Sequence, residues 1–547
     1  MHRLILSVLL ASIASSAGAA DPRLNQGPKP TATGDEVMVS TQLPIVTETA
    51  LAVLEQGGNA VDAMITATFL QHVVDYHQVS HFGTMSGIYY EAATGEYHVI
   101  SGVGARPLAS RCGEGDPSRV SIGGVVRAMG ALADRWGTLE WAEYLQPAIE
   151  AASGGVEVSS FMYGINYALM QTGESDGLID NEAARDFYMP DGFLVPAGER
   201  WRMPALADHL SRLADAGPDY MYSGDWAEAF VEAARAEGHC VAPEDLENYE
   251  VQWQAPVRFE YNGHTLIGSA PPDTGGVLVG LNLNILQHFN LADRPHYSES
   301  AETLEIMARV LGRARQETQH MINDPLAMQN PTEIWLSPAY GEIAASLVAA
   351  SMRQPDIQLA AARDVAPDHD RVLGSDHNVI VDAQGNWFSV LHTGHGGAPG
   401  VFVDGVRATG STAPALTEGP GRRLVLPITA IMIEKDGEPW LAMGTPGTPP
   451  QPVTQVLTNM LDWDMPPAEA ASMPRFWAWS GGTPGIAIES RISDEVREGI
   501  QAAGLPLTDL GPYYWSTGSM QIVWRDPETG QLRGSSDPRR LGWPAGF

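Results

Sequence analysis

Gly374-Ser375-Asp376-His377-Asn378-Val379-Ile380-Val381-Asp382 is the stretch on which the reading of this chain turns. A glycine precedes a hydroxyl residue, and a strand-like run follows it. The turn Asp382-Ala383-Gln384-Gly385-Asn386 leads into a second such run, Trp387-Phe388-Ser389-Val390-Leu391, which ends at His392-Thr393-Gly394. Cleavage of the Gly374–Ser375 bond would give Ser375 a free α-amine beside its own hydroxyl. Such an amine titrates at roughly 7.7–8.0 and can serve as a general base near neutral pH. One residue would then supply both nucleophile and base. Taken alone, the pattern equally describes an ordinary β-hairpin that begins with a serine, so the rest of the chain has to decide.

The chain has 547 residues, 44% of them hydrophobic and 18% charged, as in a folded globular protein. Its net charge of −34 argues against a basic face for nucleic acid or anionic lipid. Residues 1–20 read as a secretory signal: Arg3, an apolar run from Leu4 to Ala14, then Ala17-Gly18-Ala19-Ala20 before Asp21. That run is too short to span a bilayer. The expected mature protein is exported, periplasmic or secreted, with no membrane and no nucleic acid among its partners. Export permits a disulfide between Cys112 and Cys240, and spacing does not show whether they meet.

Residues 21–36 are rich in Pro, Gly, Asn and Thr and are expected to lie loosely on the surface. Helical spacing predicts helices over 44–57 and from Asn59 to about His72, with strands at 87–91 and 97–101. Residues 123–350 read as mainly helical, clearest at 141–152, 203–214, 226–238 and 302–320, with strand pieces at 257–261 and 265–268. Beyond Asn378 strands dominate, at 378–382, 387–391, 427–434, 439–443, 485–489 and 520–524, around a helix at 455–462. Strands toward both ends with helices between them predict one sandwich of two sheets covered by helices.

No HExxH motif or P-loop occurs. His72, His77 and His81 cluster, but their spacing fixes no metal geometry, and buried or hydrogen-bonded histidines are the commoner outcome. Gly444-Thr445-Pro446-Gly447-Thr448 follows a strand, and a Gly/Thr turn there can aim backbone N–H groups at an oxyanion.

Several segments together resemble the γ-glutamyltransferase (gamma-glutamyltranspeptidase) family of N-terminal nucleophile hydrolases. They are Gly57-Gly58-Asn59-Ala60-Val61-Asp62-Ala63, Ser121–Val125 through Tyr144–Ala148, Pro271-Pro272-Asp273-Thr274-Gly275-Gly276, Asp324-Pro325, Gly444–Gly447 and Ser535-Ser536-Asp537-Pro538-Arg539. Their order and spacing cover nearly the whole mature chain. The resemblance implies an α+β fold, a four-layer αββα sandwich. It implies autocatalytic cleavage of a zymogen into a large subunit, 21–374, and a small subunit, 375–547. Ser375 falls on the nucleophile position, usually Thr. Thr393 matches a Thr that hydrogen-bonds the nucleophile, and Gly447 and Thr448 fall on the oxyanion-hole pair. No metal or organic cofactor is implied.

The pocket that would hold a glutamyl head departs from the family. Val103 stands at the Arg that binds the α-carboxylate, and Arg106 lies three positions on. His395 replaces an Asn, Ala408 or Thr409 an Asp, and Leu426 and Pro427 a pair of serines. Burying a zwitterion against Val, Leu and Pro would cost several kcal/mol. The expected activity is therefore amide hydrolysis through an acyl-enzyme on Ser375, with a flatter or more apolar acyl group and His395, Arg106 or Arg407 meeting any charge. Two other functions stay open at this point: a γ-glutamyl hydrolase or transferase with a rebuilt pocket, and a non-catalytic binding protein on the same scaffold.

Overall fold

The computed structural model describes residues 26–108, 120–171, 181–318, 321–353, 374–394, 401–408, 421–447, 450–479 and 485–547, the side chains of 168–171 excepted. The signal-like segment, Cys112, His395 and Thr448 lie outside them. Cys240 is disulfide-bonded. No helix among the described residues is long and apolar enough to cross a membrane.

Two seven-stranded sheets carry the described fold. One runs in the order Trp543–Gly546, Met38–Thr41, Asp376–Val381, Trp387–Thr393, Thr84–Glu91, Glu96–Gly102, Gln252–Gln254. The other runs Ala32–Gly34, Leu532–Ser536, Gln521–Arg525, Glu438–Gly444, Ala430–Lys435, His264–Gly268, Val257–Tyr261. Pairing within both is antiparallel. Three apolar cores separate four layers. Met38, Ile88, Val379, Val381 and Trp387 of the first sheet meet Ile267, Met432, Ala442 and Val523 of the second. Ile380, Phe388 and Val390 turn the other way, onto the helices Pro44–Glu55, Ala60–Val74, Trp141–Gly154 and Pro204–Ala216. Leu266, Ile431, Ile433 and Leu441 of the second sheet pack under the helices Gly275–Leu286, Ala301–Thr318 and Pro450–Leu461. This is the αββα sandwich that the sequence predicts.

Period-two alternation fixes the register. Val379 and Val381 face the opposite sheet while Ile380 faces helices, so a one-residue slip would exchange every face. The predicted elements form with small shifts. The strand expected at 427–434 begins at Ala430, after Pro427, and the helix expected at 455–462 begins at Pro450, a proline tolerated in a first turn.

The sheets also contain Met38–Thr41, Gln252–Gln254, Leu532–Ser536 and Trp543–Gly546, which the sequence patterns do not predict. They are short, and Met38–Thr41 pairs with Trp543–Gly546 from the opposite end of the chain. The expectation of a loose 21–36 fails at Ala32–Gly34, which pairs with Leu532–Gly534 as an edge strand.

The Gly57–Ala63 segment is a helix start. The Asn59 side chain accepts from the N–H groups of Val61 and Asp62, at 2.8 and 3.0 Å, and Asp62 accepts from Asn59 N–H at 2.9 Å. Thr138 and Tyr144 donate to the same Asp62 carboxylate. Ala60 N–H reaches Asp382 at 2.8 Å, which ties the helix N-terminus to the end of the Asp376–Val381 strand.

His72, His77 and His81 are all buried. The rings of His72 and His81 lie 4.5 Å apart, with His392 5.1 Å from His72 and His209 5.7 Å from His81. Among the described residues no group of three or more metal-ligating side chains could hold an ion. Burial pushes His81, His377 and His392 down to about 3, and His72, His77 and His209 well below the usual value.

Unfolded histidines titrate at about 6.5, so between pH 6.5 and 3 the unfolded chain binds more protons than the native one. Stability from these groups is complete above pH 6.5 and falls by about 1.4 kcal/mol per pH unit for each histidine below it. Buried Asp75 and Asp376, whose carboxyls are pushed up, act in the opposite sense but are fewer. The melting temperature should therefore drop steeply from pH 7 to pH 5, and less steeply in a His81→Gln variant. A flat or rising profile in the wild type would contradict this.

Candidate active site

Ser375 immediately precedes the Asp376–Val381 strand, which is hydrogen-bonded on both edges, to Met38–Thr41 and to Trp387–Thr393. Thr393 ends the neighbouring strand. Strand parity places Ser375, His377, Val379 and Val381 on the inter-sheet side, and Ser389, Leu391 and Thr393 share that side on the partner strand. His377 Nε2 lies 2.9 Å from Ser389 Oγ. The Ser375 hydroxyl donates to the carbonyl of Gly374 at 2.7 Å, and the Thr393 hydroxyl donates to the same oxygen. Two hydroxyl donors on one peptide carbonyl polarise the very bond the sequence singles out.

The second sheet reaches this point through the end of Glu438–Gly444. A Cβ on Gly444 would stand 2.5 Å from His377 Nε2, so only glycine lets the two sheets approach here. Gly447, with φ of 84°, closes the turn against the Ser516 carbonyl, 2.2 Å from where a Cβ would be. The companion Thr448 lies outside the described residues, as does His395.

Of the positions that the resemblance assigns to glutamyl recognition, Val103 and Leu426 meet at one apolar cluster, Pro427 is exposed, and Ala408 is buried in the helix-side core. Val103, Leu391, Leu424 and Ile428 form one buried cluster, with Leu426 packed against it. Leu391 is two residues before Thr393 on the same face. The strand-like segment holding this cluster is fixed by Leu424 N–H donating to Gly104 at 2.8 Å and Thr274 N–H donating to Leu426 at 2.8 Å.

The two described arginines behave differently. Arg407 is buried, donates to the Gly394 carbonyl at 3.2 Å, and has the Tyr188 hydroxyl in hydrogen-bonding contact. It thus lies beside the residue that follows Thr393. Arg106 is half-buried and its backbone N–H donates to Arg422 at 2.8 Å. No hydrogen bond among the described residues links it to Ser375 or Thr393.

The structure adds groups that sequence reasoning passed over. Arg540 donates to the Ser375 carbonyl at 3.1 Å, to Trp515 O at 3.1 Å and to Gln78 Oε1 at 3.4 Å. It is delivered by the Ser535–Arg539 segment, which a buried ionic network holds. Arg539 donates to both carboxylate oxygens of Glu489, at 2.6 and 2.7 Å, and Arg475 meets Asp537 at 2.5 Å. Desolvating these charges is costly, and matched bidentate pairing offsets the cost. Asp75, at the end of the Ala60–Val74 helix, is buried with His77 Nδ1 3.1 Å from its carboxyl. The signal available in the sequence was an acidic residue directly after Ser375 and an arginine directly after the Ser535–Arg539 motif.

The gamma-glutamyltranspeptidase family model matches residues 46–547. A glutathione hydrolase-like YwrD proenzyme of Bacillus subtilis is 26% identical over 94% of this chain and 99% of its own length. An acylase ACY 1 proenzyme of Pseudomonas sp. is also 26% identical, over 94% of each. The crystal structure of cephalosporin acylase from Bacillus halodurans superposes with a TM-score of 0.81 at 22% identity, covering 97% of this chain and 98% of that one. With a family model spanning nearly all of its described fold, this chain belongs to the gamma-glutamyltranspeptidase family of enzymes.

Proposed function

We propose that the protein is an exported, self-processing amidohydrolase whose nucleophile is Ser375. The observation that carries this reading is the pair of hydroxyls, Ser375 and Thr393, directed at the carbonyl of Gly374. Ser375 Oγ attacks that carbonyl carbon. The C–N bond breaks as the proton passes from Oγ to the amide nitrogen, leaving an ester. Water then hydrolyses the ester, releasing the Gly374 carboxylate and restoring the Ser375 hydroxyl beside the α-amine that the C–N cleavage has freed.

In turnover the α-amine takes the Oγ proton as Ser375 attacks a substrate amide. It returns the proton to the leaving amine, and water releases the acyl group. The Thr393 hydroxyl holds Oγ, and backbone N–H groups of the Gly447–Thr448 turn stabilise the oxyanion. That relatives are named proenzymes supports processing.

The acyl group is apolar next to the scissile carbonyl. Val103, Leu424, Leu426 and Ile428 offer no partner for a zwitterionic head, whose unsatisfied burial would cost several kcal/mol. Arg407, together with His395, meets a charge at the far end of the acyl chain. Relatives named acylase stand beside one named glutathione hydrolase-like at the same 26% identity, which supports amide hydrolysis.

Intact mass under denaturing conditions tests the nucleophile. The wild type should give two fragments meeting at Gly374/Ser375, and Ser375→Ala one uncut chain; an uncut wild type overturns the mechanism. Thr393→Val, which removes the hydroxyl and keeps the shape, should slow cleavage by about 10²-fold, the loss typical of one oxyanion-type donor. Among p-nitroanilides, a medium-chain apolar acyl group should exceed γ-glutamyl in kcat/KM by about tenfold or more, one or two methylenes' worth of pocket contact. The reverse preference would restore the γ-glutamyl reading.

A further inference from the structure

Three parts of the site trace back to one side chain. Ser375 carries the nucleophilic hydroxyl, Thr393 the hydroxyl that shares the Gly374 carbonyl, and Gly447 the turn expected to hold the oxyanion. Arg540 is buried among them. Its Nη1 donates to the Ser375 carbonyl at 3.1 Å and to Gln78 Oε1 at 3.4 Å, and its Nε donates to the Trp515 carbonyl at 3.1 Å. Two of these contacts lead further. The backbone carbonyl of Gln78 accepts from Gly394 N–H at 3.1 Å, and Gly394 directly follows Thr393. The carbonyl of Ser516, next to Trp515, lies so close to Gly447 that a Cβ on Gly447 would stand 2.2 Å from it. One guanidinium thus bears on the nucleophile directly, on its hydroxyl partner through Gln78, and on the turn through Trp515 and Ser516.

Each of these hydrogen bonds goes to the oxygen of a neutral amide. Among the described residues Arg540 makes no ion pair, whereas Arg475 and Arg539 are matched with Asp537 and Glu489. A guanidinium presents its N–H donors in one rigid plane, so it fixes the angle between its acceptors as well as their distances. The Trp515 ring lies against that plane, 5.1 Å from the guanidinium carbon. We propose that Arg540 is a positioning residue that sets the mutual geometry of Ser375, Thr393 and the Gly447 turn, with Gln78 as its link to Thr393. The inference rests on the reading of Ser375 as nucleophile. Arg540 touches no reacting atom and acts through the backbone it holds.

The rate of cleavage at Gly374/Ser375 in the full chain, followed by intact mass, tests this. Arg540→Gly should slow cleavage by about 10²-fold, the cost of a small misplacement at a reacting centre. Arg540→Lys keeps the charge but loses the planar fork, and should slow it by about tenfold or more. Guanidinium at millimolar concentration should speed Arg540→Gly by about tenfold or more, while methylammonium, a cation without the fork, should not. Guanidinium weakens folded proteins in general, so a gain in rate reports a refilled fork and not a firmer fold. Gln78→Leu should slow cleavage by about fivefold, the worth of one neutral hydrogen bond. Gln78→Glu, which keeps an acceptor for Arg540, should recover most of that loss.

Wild-type rates in Arg540→Lys, or a folded Arg540→Gly that guanidinium does not speed, would overturn the positioning role. Should Arg540→Gly not fold, the Gln78 variants decide. Gln78→Leu at the wild-type rate, or Gln78→Glu as slow as Gln78→Leu, overturns it. An uncut wild type overturns the nucleophile reading and this inference with it. A wild type that is cut, beside Arg540 variants cut equally fast, overturns this inference alone.

Discussion

Everything at the site depends on the confinement of the Asp376–Val381 strand. It is hydrogen-bonded along both edges and covered on both faces, by the second sheet on one side and by the Ala60–Val74 helix on the other. The Gln71 and Asn378 side chains exchange hydrogen bonds at 3.0 and 2.6 Å across the helix–strand contact, and His392 reaches the same Gln71 at 2.9 Å. A residue at the head of such a strand has little backbone freedom. Ser375 can therefore hold its hydroxyl against one particular carbonyl at low entropic cost.

The αββα architecture gives that confinement a direction. Period two sends Ser375 and Thr393 to the cleft between the sheets and Asp376 into the helical layer. One face carries the Ser375 and Thr393 hydroxyls, and the other carries the buried Asp376 carboxyl. The Gly444–Gly447 turn follows a strand of the opposite sheet, and Gly444 lets that sheet come close to His377. Leu391 and Val103 belong to one buried apolar cluster against which Leu426 packs.

Buried charge is the other organising feature. Glu489, Asp537, Arg475 and Arg539 form a matched network that locks the segment after Leu532–Ser536 and delivers Arg540 to Ser375. The histidines take the alternative course: burial keeps them neutral, and they pack as aromatic rings. Both devices are consistent with a fold built for neutral rather than acidic surroundings.

Much of this was legible in the sequence by itself. The alternation at 378–382 and 387–391, the capping pattern at Asn59–Asp62 and the helical spacing at 141–152 are local signals, and each produced the element it predicts. The ordered motifs identified the family, and the residues they singled out include Ser375 and Thr393, whose hydroxyls meet at the Gly374 carbonyl, and Val103 and Leu426, which meet at one apolar cluster. Tertiary structure alone decided the rest. Ala32–Gly34, Leu532–Ser536 and Trp543–Gly546 are strands only because chain ends far apart in sequence meet along one edge. Gln78, Ser375 and Arg540 carry no shared pattern, and they meet only because distant parts of the chain fold together. Whether a buried guanidinium meets a given carbonyl depends on distances set by packing, and no such distance is written in the order of residues.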